Sequence, residues 1–582
     1  MNPAPARMTL EQFNAASPSA AQDFLQEMFA DGPWLDTRTV VSGRPYATLA
    51  ALKHRLAQAC LLIPADALAS AVAAFQAQGF SAADFKNSQS DLATEYSKLV
   101  DDYQNKFGWG FLLAARDARG NHHSLEAAVS ILKRHLNLSP HLEHKETLRQ
   151  MQRITELHLH DQFGENVDQG QLVWDWHENL AQHSDEGFAE KGQLTVTYLT
   201  QAHQDCAKQI VEDMQSCGCD EVFIDAVGNV VGRYVGLEPD HPMLMTGSHY
   251  DTVRNGGKYD GRLGIYVPLA CIRDLHLQGR RMPYGIEVVA FSEEEGQRYK
   301  ATFLASSALT GQFQTDWLSQ SDSNGVLMQD AMLQAGLQPQ QIPTIARDPS
   351  RYLGFIEVHI EQGPVLYEKG LPLGVVTSIN GGKRYLCVAR GTASHAGTTP
   401  MDRRNDAACA VAELLLFAEK RALEDGDSVA TVGQLEVPAG SVNVIPGTCT
   451  FSLDMRAPND PQRDALIADV LSESKRIGER RGVSFNIEEI MQVSAAPSHP
   501  IWQKRWEQAV HETGLPVFTL PSGAGHDAMK IHHILPQAML FVRGENGGIS
   551  HNPLESTTAH DMQLAVQATM RLLNNLACEL RP

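Results

Sequence analysis

The chain has no excess of positive charge. Its 582 residues hold 48 Lys and Arg against 69 Asp and Glu, a formal net charge of −21. Without a basic stripe it offers a polyanion no surface, which argues against a nucleic-acid partner. Long apolar runs are missing too: none approaches the about 20 residues of a membrane span, so no membrane partner is expected. The opening stretch MNPAPARMTLEQF lacks the apolar core of a secretory leader. Cysteine is sparse, nine in all, too few and too scattered for a disulfide framework. Cys217 and Cys219, in SCGCD, have no second pair to complete a metal clip and read as a turn. These absences predict a cytoplasmic protein. Hydrophobic content of 43% and charged content of 20% are those of a globular chain. Its length predicts two to four domains.

Residues 1–165 read as successive helices, with apolar residues three and four apart in ATLAALKHRLAQACLLI, DLATEYSKLVDDYQNKFG and HKETLRQMQRITELHLHDQF. The polar stretch GENVDQGQ marks a boundary near residues 164–171. Beyond it short apolar runs, PMLMTG, GIEVVAFS and AMLFVRG, alternate with helical segments, the pattern of an α/β domain. Residues 376–492 carry a strand–helix–strand–helix–strand order of their own. The fold class is therefore multidomain: an all-α domain (1–165), then an α/β domain in two parts (172–375 and 493–582) interrupted by a small inserted α/β domain (376–492).

Four groups of chemically active residues fall at strand ends, where ligands collect in open α/β sheets. GSHYDTVRNGGKYDGRLG holds His249, Asp251 and Asp260; FSEEEGQRY holds Glu293, Glu294 and Glu295; FIEVHIEQG holds His359; GENGGISHNPLE holds His551. Three successive glutamates at the end of a buried strand repel one another unless a cation is present. Imidazoles with carboxylates suit zinc or manganese, and a shared aspartate can bridge two such ions. Any one group alone reads as a turn or a solvated helix start. Together they predict a hydrolytic metal site.

These motifs, with SHAGTTPM, SVNVIPG and SGAGHDA, run in one order from about residue 175 to the end. That part of the chain resembles the allantoate amidohydrolase and N-carbamoyl-L-amino-acid hydrolase family, within the larger group of two-metal aminoacylases and carboxypeptidases. The resemblance implies two divalent ions (Mn2+ or Zn2+) per subunit, His249 and His359 on one, Glu295 and His551 on the other, and Asp260 on both. It implies that Asp251 orients His249, that Glu294 is the general base and that His395 steadies the oxyanion. Asn443, Arg456, Lys383, Ser522, Gly523 and His526 are its candidate contacts to a small ureide substrate. It also implies a homodimer formed through the inserted lid domain. Where several allantoate enzymes read Gly-Gln-Arg-Arg-Tyr, this chain has GGKRY, with Gly382 and Lys383 replacing side chains that the resemblance places against the substrate. The resemblance therefore carries the reaction class further than the substrate.

The helical domain resembles the decarboxylases of 2-oxo-4-hydroxy-4-carboxy-5-ureidoimidazoline (OHCU), in LEQFNAASPSAAQDFLQEMF, YQNKFGWGFLLAAR and the helix ending HLHDQF. That family carries a catalytic His-Pro pair and a following Glu-Gln pair. Here the corresponding stretch, AAFQAQGFSAADFKNSQ, holds no His, Pro or Glu, which predicts a weak or inactive decarboxylase. Two domains resembling enzymes of one ureide route favour allantoate over a carbamoyl amino acid as substrate.

Overall fold

The computed structural model describes residues 8–28, 37–76, 78–81, 90–117, 121–164, 167–238 and 240–580. The chain forms two compact units: Met1–Val375 with Lys504–Phe518 and Leu540–Pro582, and Val376–Gln503 with Thr519–Met539.

The first unit begins with helices. Leu49–Leu61 starts where the Thr48 side chain accepts the Ala51 N–H, and buries Leu52, Leu56 and Cys60 at four-residue spacing. Pro140–Phe163 has Ser139 as its cap, proline in its first turn, and ends at Gly164 in a left-handed conformation. This helix is buried nearly all round between Thr147 and Leu159, charged Arg149, Arg153 and Glu156 included. Among the described residues before Asp168 there is no strand, only the isolated bridges Gly79–Ala114 and Arg116–His122. The polar stretch after Gly164 starts the next helix, Asp168–Leu180.

A sheet follows in the same unit. Strands β1 (Glu221–Ile224), β2 (Val230–Tyr234), β3 (Met243–His249), β4 (Gly285–Phe291) and β5 (Tyr352–Ile360) lie in the order β1-β2-β4-β3-β5. β4, β3 and β5 are parallel, and β4 is buried along its whole length, as a strand covered on both faces must be. Leu540–Val542 pair with Leu373–Val375 farther along the sheet.

The second unit holds a five-stranded antiparallel sheet, centred on Gly381–Arg390 and Thr448–Ala457. Along Thr448–Ala457 burial alternates strictly. Its inward residues Cys449, Phe451, Leu453 and Met455 pack with Ala410, Val411 and Leu414 of one helix and Leu466, Val470 and Ile477 of another. A separate two-stranded ladder joins Ser394–His395 to Val444–Ile445. Among the described residues no helix is long and apolar enough to cross a membrane.

Candidate metal centre and catalytic site

The parallel register of β4, β3 and β5 brings three of the sequence groups to one edge. His249 is the last residue of β3 and pairs with Phe291, the last of β4, and Glu293–Glu295 follow one residue later. His359 is the penultimate residue of β5. Asp260 lies between β3 and the helix Leu263–Leu277. Its neighbour Gly261 has φ of 71°, and a Cβ there would collide with the carbonyl and ring of His249. Glycine is what lets this segment fold back onto the end of β3.

The groups converge on Asp260. Its Oδ1 is 3.6 Å from His249 Nε2 and 3.4 Å from His359 Nε2. Its Oδ2 is 3.2 Å from His551 Nε2, which is 3.5 Å from Glu295 Oε1. Ligand atoms of His249, Glu294 and Glu295 also cluster within 4.8 Å of one another. Two ligands each about 2.1 Å from one ion at a tetrahedral angle stand roughly 3.4 Å apart, which is the spacing seen here.

Tautomers sharpen the point. His359 Nδ1 donates to the Ile360 carbonyl at 2.8 Å, and His359 Nε2 accepts the Gly261 N–H at 3.1 Å. His249 Nδ1 faces the Asp251 carbonyl at 3.0 Å. His359 therefore has no proton on Nε2 to offer the Asp260 oxygen 3.4 Å away, and two lone-pair-bearing atoms face each other there. Buried at van der Waals distance, such pairs need positive charge between them. Burial lowers His359 to about 4, so its imidazole is neutral at neutral pH. For His249, burial is outweighed by Asp251 and Asp260, which hold it well above the usual range. Burial first, and then Asp260, push Glu295 up to about 8. The residues fit a metal ion.

Asp251 ties the groups together. Its carboxylate is 3.3 Å from His249 Nδ1 and accepts the N–H groups of Glu294 and Glu295, each at 3.1 Å.

The remaining candidates lie in the second unit. His395 Nδ1 accepts the N–H groups of Gly397 and Thr398 at 3.1 and 3.2 Å, which leaves the proton on Nε2, on an exposed ring. Asn443 is beside it, its carbonyl accepting the Ala396 N–H at 2.9 Å. Arg456 is held by both oxygens of Asp454, at 2.8 and 2.9 Å, and donates through Nη1 to the Gly523 carbonyl at 2.8 Å. Ser522 Oγ lies 2.8 Å from His526 Nε2. Lys383 Nζ faces Glu489 at 3.5 Å and Asp464 at 3.7 Å.

Two carboxyls stand out to which the sequence motifs assign no role. Glu555 Oε1 accepts the backbone N–H groups of Tyr259 and Asp260, at 2.9 and 3.0 Å, and Oε2 accepts from Ser550 Oγ at 2.5 Å. Burial and then Asp260 push it up to about 7. Its signal was available: it is the final residue of GISHNPLE. Glu293 is fully buried. Burial and then Asp251 raise it well above the carboxylate range.

Comparison with known proteins agrees with this geometry. The model of peptidase family M20/M25/M40 matches residues 245–575, and the OHCU decarboxylase model matches residues 14–160. The chain is 34% identical to N-carbamoyl-L-amino acid amidohydrolase of Geobacillus stearothermophilus over 409 residues, 70% of this chain and 99% of that protein. It is 34% identical to allantoate amidohydrolase of Bacillus subtilis over 407 residues, 70% of this chain and 97% of the relative. An amidase of the hydantoinase/carbamoylase family from Burkholderia multivorans superposes with a TM-score of 0.65 at 30% identity, over 70% of this chain and 98% of its own. Each of these matches leaves about three tenths of this chain uncovered. The protein is thus a hydrolase of peptidase family M20/M25/M40, carrying an OHCU decarboxylase-type domain ahead of its catalytic part.

Proposed function

We propose that the protein hydrolyses allantoate, releasing ammonia and carbon dioxide and leaving ureidoglycine, at a centre of two divalent cations, manganese or zinc. The observation that carries the hydrolytic reading is Asp260, one oxygen against His249 and His359 and the other against His551. On this reading His249 and His359 would hold one ion, Glu295 and His551 the other, and Asp260 would serve both. Such ions, when bound, polarise a carbonyl and acidify water.

The protein's own groups supply the rest. Glu294 takes the proton of the attacking water and returns it to the leaving nitrogen. Asp251 orients the His249 ring. His395 donates from Nε2 to the oxygen of the scissile carbonyl as it gains negative charge. Arg456, aligned by Asp454, meets the substrate carboxylate, with Asn443, Lys383, Ser522, Gly523 and His526 as further contacts. A homodimer formed through the inserted unit completes the proposal.

Allantoate is favoured by the allantoate amidohydrolase relative and by the OHCU decarboxylase-type domain, both enzymes of ureide chemistry. A second reading, hydrolysis of N-carbamoyl-L-amino acids, is favoured by the N-carbamoyl-L-amino acid amidohydrolase relative and by Gly382. That glycine pairs with Arg456 across the sheet, where a larger side chain would press on the Arg456 stem. We further propose that the N-terminal domain has little or no decarboxylase activity, because residues 73–89 hold no His, Pro or Glu. Of these, residues 77 and 82–89 lie outside the described residues.

Ammonia release by the metal-loaded protein, offered allantoate and N-carbamoyl-β-alanine in parallel, tests the substrate. Preference for allantoate is expected; preference for the carbamoyl amino acid moves the assignment to the second reading. Full-length protein should not speed OHCU loss beyond its spontaneous decay.

A further inference from the structure

His551 differs from the other residues around Asp260. Its side chain is 51% exposed, whereas those of His249 and His359 are 3% and 1% exposed. Packing therefore does not fix this ring, and the loop that bears it must. Beside Gly547 and Gly548, which take positive φ freely, the non-glycine residues Asn546 and His551 are held at φ of 57° and 52°. Such conformations persist only where the surroundings over-determine them.

The loop has two sets of anchors. Within the loop, Glu545 N–H donates to the Ser556 carbonyl at 2.7 Å, and Asn546 Nδ2 donates to the Leu554 carbonyl at 2.6 Å. Glu555 fastens its far end to the backbone of Asp260. The near end is held from outside the catalytic part. Arg149, on the helix Pro140–Phe163, pairs with Glu545, and Arg134, at the end of the helix Leu125–Leu136, donates to Asn546 Oδ1 at 3.2 Å. Arg149 is 2% exposed. A buried guanidinium needs its carboxylate partners in place, and Arg149 has two, Glu545 on the loop and Glu156 on its own helix at 3.4 Å. Arg543, two residues before Glu545, is held through Nε and Nη2 by Asp561 at 2.9 and 3.0 Å and approaches Glu156 of the same helix at 3.5 Å.

We infer that the helical N-terminal domain positions His551, with Arg149 and Arg134 as positioning residues that hold the loop through Glu545 and Asn546. The domain then acts as a structural part of the metal centre, whatever its own chemistry. This rests on the reading of His551 as a metal ligand.

The test uses the full-length protein and competition with a chelator for Mn2+, which resolves tight and weak binding. His551→Ala first identifies the class that depends on His551. Arg149→Met combined with Glu545→Gln removes one charge of each sign, leaving Glu156 to Arg153 and Arg543, and Arg543 to Asp561. It should weaken that class about tenfold or more, the usual effect of losing a group that supports a ligand, and leave the other class unchanged. Amide hydrogen exchange over residues 545–552 should quicken in parallel. Arg134→Ala, at a half-buried position, should shift both readouts in the same direction, and it decides alone if the double variant does not fold. Lys145→Ala, which removes the Lys145–Glu368 pair elsewhere on this helix, should shift neither. Unchanged exchange and unchanged Mn2+ binding in the Arg variants would overturn the inference, as would equal weakening of both classes. If His551→Ala leaves Mn2+ binding intact, the ligand reading falls, while exchange over 545–552 still reports the anchor.

Discussion

Asp251 stands behind His249 with its carboxylate 3.3 Å from Nδ1, and the same carboxylate accepts the backbone N–H groups of Glu294 and Glu295. One side chain thus sets the orientation of an imidazole on β3 and the path of the chain leaving β4. On the proposed reading it aligns one ligand of each ion and the general base together. Asp251→Asn keeps the size but loses the charge that favours the ring's correct tautomer. Metal affinity should fall about 10- to 100-fold, measured by chelator competition, with the thermal transition still cooperative.

Glu294→Gln should separate chemistry from binding. The amide cannot take a proton from water, and kcat should fall about 100- to 10,000-fold. Metal content, measured on the same preparation, should match the parent.

Gly261→Ala should damage the centre more than the fold. The residue sits at φ 71° and a Cβ would press on His249. The left-handed backbone alone costs alanine about 1–2 kcal/mol. A modest drop in melting temperature with a large loss of metal binding is the expected outcome. Equal metal binding in parent and variant would show that the segment can shift without moving His249.

Acid should destabilise the first unit through two neutral histidines. His177, whose Nδ1 is 2.7 Å from the Val173 carbonyl, packs against the rings of Tyr259 and Tyr266. Burial lowers it to about 3, and lowers His203 to about 4, from 6.5. The unfolded chain takes up these protons below pH 6.5 and the folded chain refuses them. Their contribution is therefore complete above pH 6.5 and is lost as pH falls toward 4, by up to about 1.4 kcal/mol per pH unit for each ring. Urea midpoints between pH 7 and 4.5 should trace this slope, and His177→Gln should flatten it.

Much of the site was legible because it is local. Alternation along FIEVHIEQG puts Glu357 and His359 on one face of β5, and both are buried. The runs PMLM and IEVVA read as strands, so the histidine and glutamates that follow had to fall at strand ends. The partners of Glu555 and Arg149 were not legible. Glu555 reaches Asp260 across 295 residues of sequence, and Arg149 reaches Glu545 across 396. In each case the local pattern shows only a polar residue; tertiary packing alone selects its partner.

The central claim is that Asp260 stands between two cations. Crystals of the Mn2+-loaded protein, measured at the manganese absorption edge, test it directly through anomalous scattering. The account predicts two peaks per chain, about 3.5–4 Å apart, one bounded by His249, His359 and Asp260 and the other by Asp260, Glu295 and His551. A single peak, or metal bound away from Asp260, would contradict it.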